Sequence, residues 1–205
     1  MPQTLERTSD TPVSAPNTVR WTRQQCSAMR DCGILTGRYE LVEGEIIDKM
    51  GQKRPHALVI MQLAAWLFSL FGASFVQIQL PIRVKGKDRD TSEPEPDAAV
   101  LVRPGSDFPD DTPEAAYVSL VIEVSDTTLR FDRTTKAALY ARSNIAEYWV
   151  IDIEGRRVYA HRNPTADGYA ETLAYSAGEE IATLARPNAP IAVAELLPPA
   201  ATSQS

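Results

Sequence analysis

At 205 residues, with 43% hydrophobic and 23% charged residues, the chain has the composition of a globular protein and enough length for one domain with a sizeable core. A formal charge of −6 and a pI near 5.0 exclude nucleic-acid binding driven by bulk positive charge, so such a partner would need a locally basic groove. Cys26 and Cys32 fall in one expected helix, point in different directions and read as reduced thiols of a cytoplasmic protein. With no histidine or further cysteine near them, a zinc site is not expected.

Residues 1–18 are polar and proline-containing, reading as a disordered tail without the apolar core of a signal peptide. A short helix is expected from Thr22 to Cys32, closed by Gly33. Tyr39 to Ile47 reads as a tight hairpin turning at Glu43 and Gly44, since glycine permits the positive φ such a turn requires. A buried helix from Pro55 to Phe71 and a strand from Ser74 to Val84 follow.

Ala57 to Val76 is uncharged and long enough to suggest a membrane span. Gln62, Ser69, Gly72 and Ser74 interrupt it, and Val76, Ile78 and Leu80 then alternate with Gln77 and Gln79. A helix ending near Gly72 and a strand explain that change of period, so no membrane association is expected.

A charged loop, Lys85 to Glu95, leads to a strand opened by Asp97, and a loop from Pro104 to Glu114 leads to another over Val118 to Val124. Asp132 is the expected N-cap of a helix from Arg133 to Arg142. A second hairpin is expected from Glu147 to Arg162 around Glu154 and Gly155, then a strand from Tyr169 to Ala174 and a flexible tail over 198–205. This order predicts an α/β (α+β mixed) fold, a mixed sheet flanked by helices, with residues 19–197 as one domain.

Glu123 is the one charge inside Val118-Ser119-Leu120-Val121-Ile122-Glu123-Val124. A carboxylate in so apolar a strand costs several kcal/mol unless it is paired, hydrogen-bonded or bound to a metal. Asp97 on a neighbouring strand and Lys136 early in the following helix would complete what a divalent-metal phosphodiesterase needs: two anionic ligands and a cation beside the phosphate. Each residue also has an ordinary explanation. Asp97 could cap a turn, Glu123 could pair with Arg130 or Arg133, and Lys136 could pair with Asp132 one turn away. Glu40, Glu43 and Glu45 could face solvent, His56 could pack locally at a helix start, and Tyr140 and Trp149 could be core residues.

In order and spacing, the chain resembles the PD-(D/E)XK nuclease superfamily and, more closely, the Uma-two family of restriction-endonuclease-like proteins. The resemblance runs from about Arg20 to Leu197. Its carriers are Tyr39-Glu40-Leu41-Val42-Glu43-Gly44-Glu45, His56, Pro96-Asp97, Ile122-Glu123-Val124-Ser125, Asp132 with Lys136 and Tyr140, and Glu147-Tyr148-Trp149-Val150-Ile151-Asp152.

The resemblance implies a restriction-endonuclease-like fold and metal-dependent cleavage of phosphodiester bonds, in DNA, with Mg²⁺ or Mn²⁺. Asp97 and Glu123 would be metal ligands, and Glu43 or Glu40 an additional acid, with Glu43 preferred beside the glycine turn. The superfamily lysine is expected two residues after the second acid, where this chain has Ser125, so its role moves to Lys136. A homodimer is implied because many relatives pair two sites to cut both strands. Lys85, Lys87 and Arg89, in a basic loop ahead of Asp97, are candidates for the phosphate backbone. The alternative is a non-catalytic member of the fold that binds nucleic acid or a protein partner.

Overall fold

The computed structural model describes residues 18–49, 51, 53–109 and 111–199. In chain order come helix α1 (Arg23–Asp31), hairpin β1 (Tyr39–Val42) and β2 (Glu45–Asp48), helix α2 (Arg54–Phe71), then β3 (Val76–Ile78), β4 (Ala98–Leu101) and β5 (Val118–Ser125). A helix follows in three parts: α3 (Leu129–Phe131), a π turn (Asp132–Lys136) and α4 (Ala137–Arg142). The chain then forms β6 (Glu147–Asp152), β7 (Arg157–Pro164), β8 (Tyr169–Ser176) and the short pair β9 (Glu180–Ile181) and β10 (Ile191–Ala192).

Strands β3 to β8 make a six-stranded mixed sheet in sequential order. Only β5 and β6 run parallel, with Leu120 opposite Glu147 and Ser125 opposite Asp152. Both strands are buried along nearly their whole length. That explains their almost continuous apolar sequences, because a central strand covered on both faces has no solvent side to alternate with.

Side-chain alternation divides the core into two layers. Leu120, Ile122, Val124, Trp149 and Ile151 face α2, which buries Val59, Ile60, Leu63 and Leu67 against them. Trp66 stacks on Trp149 at 5.8 Å. By length and composition alone α2 would qualify as a membrane span, yet this stripe packs it on the sheet. Ala99, Val121, Tyr148 and Val150 face the opposite way, onto Ala137 and Tyr140 of the second helical layer. Val42 of the first hairpin, Val84 and Leu139 form a smaller cluster that fastens the hairpin to α4.

The hairpin turns at Glu43 (φ 49°) and Gly44 (φ 81°), two consecutive positive φ values of the kind that match the twist of paired strands. A side chain at Gly44 would also strike Arg20, whose Cβ lies 2.7 Å from the position a Cβ would take.

Two expectations are corrected. The strand expected over Ser74 to Val84 is only three residues long, because a 3-10 turn over Ala73–Phe75 precedes it and Gln79 (φ 52°) with Pro81 ends it. Asp132 is not an N-cap, since the helix begins at Leu129 and Asp132 sits inside the π turn. There it is buried, accepting hydrogen bonds from the Thr128 hydroxyl at 2.5 Å and from Ser125. The two tails expected from composition, apart from residues 18, 198 and 199, lie outside the described residues.

His161 on β7 gives this core a pH response. It is buried between the rings of Tyr148 and Tyr169, with Nδ1 2.9 Å from the Thr172 hydroxyl. Burial, with the Arg133 guanidinium nearby, pushes its pKa down to about 4. Below pH 6.5 the unfolded chain takes a proton that the folded protein refuses, so stability falls as pH drops towards 4, by up to about 1.4 kcal/mol per pH unit. Denaturant melts of His161→Phe, which keeps the ring stack, are expected to show a flatter stability profile between pH 6.5 and 5 than the original protein.

Candidate active site

Asp97 immediately precedes β4, and extending the pairing of Ala98 with Ile122 by one step places it opposite Glu123. Directly opposed residues of an antiparallel pair share a face, so both carboxylates rise on the side covered by α4. The Val124 amide donates to Asp97 Oδ2 at 2.9 Å, Gln79 Nε2 donates to Oδ1 at 3.2 Å, and His56 Nε2 lies 3.4 Å from Oδ2. Despite burial, these donors and the cationic Lys49 hold the Asp97 carboxyl below its ordinary pKa.

The helix supplies Lys136 and Tyr140, four positions apart and therefore on one face. The Lys136 ammonium bridges Glu40 Oε1 at 2.7 Å and Glu123 Oε1 at 2.9 Å, and the Tyr140 hydroxyl donates to the same Glu123 oxygen at 2.8 Å. Glu40 comes from β1 and is fixed by the Glu95 amide, which donates to its Oε2 at 3.1 Å. π turns of this kind recur at functional sites because one extra residue redirects the side chains around it. Here the turn ends on Lys136 itself.

Glu123 and Glu40 share one buried ammonium, and Asp97 stands opposite Glu123 on the neighbouring strand. Burial together with Glu40 and Asp97 pushes the Glu123 carboxyl up to about 8, outweighing the attraction of Lys136. Against the cost of burial, Glu123, Glu40 and Asp132 raise Lys136 above an ordinary lysine. Both shifts express one surplus of negative charge: the cluster holds the lysine proton firmly and favours an additional proton on Glu123. Another buried acid, Glu147, shows the contrast. Its carboxylate is bound by Arg162 at 2.8 Å, by Trp149 at 3.0 Å and by the Leu184 amide at 2.7 Å, a closed ion pair at the opposite end of β6.

The structure thus sets Asp97 opposite Glu123 and bonds Lys136 to Glu123. Glu43 stands apart, its carboxylate 2.5 Å from Arg142, which also binds Asp88 at 2.8 Å. Glu40, the other acid of the hairpin, reaches the cluster instead. Lys136 pairs with Glu40 and Glu123 rather than with Asp132, and Glu123 is held by Lys136 and Tyr140, not by Arg130 or Arg133. Arg133 covers the ring of Tyr159 at 3.6 Å. Lys87 lies within a 3-10 turn over Gly86–Asp88 that Lys85 and Arg89 flank, and Arg89 pairs with Glu114 at 3.1 Å.

A family model described as "Putative restriction endonuclease", Uma2, matches residues 35–194, which hold every member of this cluster. The chain belongs to the Uma2 family. Its fold is also that of a crystal structure titled "a putative nuclease belonging to DUF820 from Anabaena variabilis ATCC 29413". That structure superimposes with a TM-score of 0.60 at 14% identity, covering 82% of this chain and 96% of the other. No curated protein matches the chain.

Membership of Uma2 gives the chain a nuclease-like function, and the geometry shows which side chains meet. Sequence reasoning missed Gln79 and Lys49, and treated His56 as local packing. No local pattern marks these residues, because Gln79 and His56 reach Asp97, and Lys49 reaches the Glu95 carbonyl, across a turn or from another element. Glu40 carried a weak signal, a charge one residue before the apolar pair Leu41-Val42, but the burial that distinguishes it from Glu43 is tertiary.

Proposed function

We propose that this Uma2 chain is a metal-dependent endonuclease that hydrolyses phosphodiester bonds in DNA. The observation that carries the reading is the opposed pair Asp97 and Glu123 at the rim of the sheet, with Lys136 between Glu123 and Glu40.

The donor set fits a hard divalent cation. Among the described residues no group of three or more His, Cys, Asp or Glu side chains is placed to hold a metal ion. Mg²⁺ does not require such a group, since it is commonly bound by one or two carboxylates with water and phosphate oxygens filling the other positions. Glu123 Oε1 receives both the lysine and the tyrosine, and Oε2 accepts no hydrogen bond from the described residues. Asp97 and Glu123 would hold Mg²⁺ or Mn²⁺, and either Glu40 or Glu43 could add a further acid, with the geometry favouring Glu40. When bound, the cation supplies Lewis acidity and neutralises charge on the phosphate.

The chain's own groups do the remaining work. Tyr140 and Lys136 fix the rotamer of Glu123, while the Val124 amide and Gln79 fix Asp97, so the two carboxylates are preorganised. Lys136 keeps its proton throughout and holds Glu40 and Glu123 together. Lys85, Lys87 and Arg89 would meet the backbone farther out: the loop is tied through Asp88 to Arg142, six residues along the helix from Lys136, or about 9 Å. A cytoplasmic homodimer, pairing two sites for the two strands, completes the reading; light scattering that shows only monomer at assay concentration would remove the dimer.

Nicking and linearisation of supercoiled DNA with Mg²⁺ or Mn²⁺ tests the activity. Cutting is expected from the original protein, to vanish with EDTA and to fall at least about 10³-fold in Asp97→Asn, given the several kcal/mol a lost metal ligand forfeits. Equal cutting by both proteins would sink the proposal. A second reading, a binding module that does not cut, is favoured by one observation: Lys136 already closes an ion pair with both glutamates. Calorimetry showing no Mg²⁺ or Mn²⁺ binding would select it.

A further inference from the structure

Lys136 cannot be the cation that receives the substrate phosphate. Its side chain is 3% exposed and its ammonium is committed to Glu40 and Glu123. Glu40 and Glu123 outnumber the one ammonium they share, and Asp97 stands opposite Glu123, so acidic groups exceed the local positive charge, a surplus that a divalent cation offsets. The negative charge of a phosphodiester then has no partner inside the cluster and requires one at its mouth.

Most nearby cations are already engaged. Arg38 binds the Glu95 carboxylate, Lys53 binds Asp126 at 3.0 Å, Arg142 binds Glu43 and Asp88, and Arg89 binds Glu114. Lys49, just past the end of β2, differs. Its Nζ donates to the backbone carbonyl of Glu95, two residues before Asp97, and lies 4.0 Å from a Glu95 carboxylate that Arg38 already neutralises. Its side chain is 18% exposed, against 3% for Lys136. Its charge is felt at three members of the site: it holds Asp97 down, works against burial at Glu123 and opposes protonation of His56.

We propose that Lys49 contacts the substrate, binding a non-bridging phosphate oxygen of a DNA strand laid over Asp97 and Glu123. The proposal rests on the nuclease reading above. Lys49 swings from a carbonyl and a shared carboxylate to a phosphate, a charge-assisted hydrogen bond stronger than the one it leaves. It binds ground state and transition state alike, so its loss acts on substrate capture rather than on the chemical step.

The test is steady-state cleavage of a labelled DNA duplex by the full chain with Mn²⁺, between 50 and 200 mM KCl. Lys49→Gln and Lys49→Met are expected to raise KM roughly tenfold, the scale of one lost hydrogen bond to a charged group, with kcat kept within about threefold. The slope of log kcat/KM against log salt is expected to become shallower by about 1, and Lys49→Arg to restore both quantities. A purely structural contact with Glu95 would lower Tm without changing the salt slope. Wild-type KM and salt slope in both neutral variants would overturn the role of Lys49 while leaving the nuclease reading intact. If the original protein neither cuts nor binds the duplex at 50 mM KCl, the nuclease reading fails and this inference falls with it.

Discussion

Glu123→Gln is expected to remove metal-dependent cleavage, by at least about 10³-fold, while making the metal-free protein more stable above neutral pH. The two effects share a cause. Glu123 is held near Glu40 and Asp97 in a buried site, and its pKa is pushed up to about 8. Between the ordinary glutamate pKa and about 8 the folded protein holds a proton that the unfolded chain releases, so stability is full at low pH and is lost as pH rises through that window. The slope reaches up to about 1.4 kcal/mol per pH unit.

Lys136, also raised, keeps its contribution throughout this range and loses it only on the far alkaline side. Glutamine keeps the shape of the side chain, accepts from Lys136 and Tyr140, and carries no charge to desolvate. Thermal melts of the metal-free protein should therefore show Glu123→Gln gaining on the original chain from pH 6 to pH 9. A variant that is inactive and equally destabilised at every pH would mean that Glu123 serves the ion pair alone. Such a site, costly when empty and favourable when occupied, illustrates how stability is given up for function.

Lys136→Met is expected to lower stability by about 3–5 kcal/mol, because removing one partner from a buried ion cluster leaves uncompensated charge. For a domain of this size that corresponds to a fall in Tm of roughly 10 °C. The charge explanation makes a sharper demand in a different background. With Glu40→Gln and Glu123→Gln already present, the two carboxylates bonded to the ammonium are gone and only the unbonded Asp132 still favours its charge, so the same Lys136→Met change should cost under about 1.5 kcal/mol. Urea denaturation of the four proteins closes the cycle. An equal cost in both backgrounds would show that Lys136 contributes through packing of its stem rather than through its charge.

Much of the architecture is legible in the sequence because it rests on local rules. The positive-φ pair Glu43-Gly44 announces the first hairpin, and the uninterrupted apolar runs of β5 and β6 announce central strands covered on both faces. The oddity of Glu123 is likewise visible, since a lone carboxylate in such a run demands a partner whatever the fold.

The choice of partner is not local. Glu40 and Glu43 lie three residues apart in one hairpin, yet one is buried against Lys136 and the other turns to Arg142, a residue 99 positions away. Asp97 and Glu123 meet because antiparallel register sets them opposite each other, and Lys136 reaches Glu123 and Glu40 from the end of a π turn. The sequence by itself determined the hairpins, the central strands and the acids that need compensation, because short-range sterics and burial periodicity act within a few residues. Only the tertiary structure decided which acid joins Lys136, that His56 and Gln79 hold Asp97, and that Lys49 binds the Glu95 carbonyl two residues before Asp97, because those are long-range electrostatic pairings set by how separate elements pack.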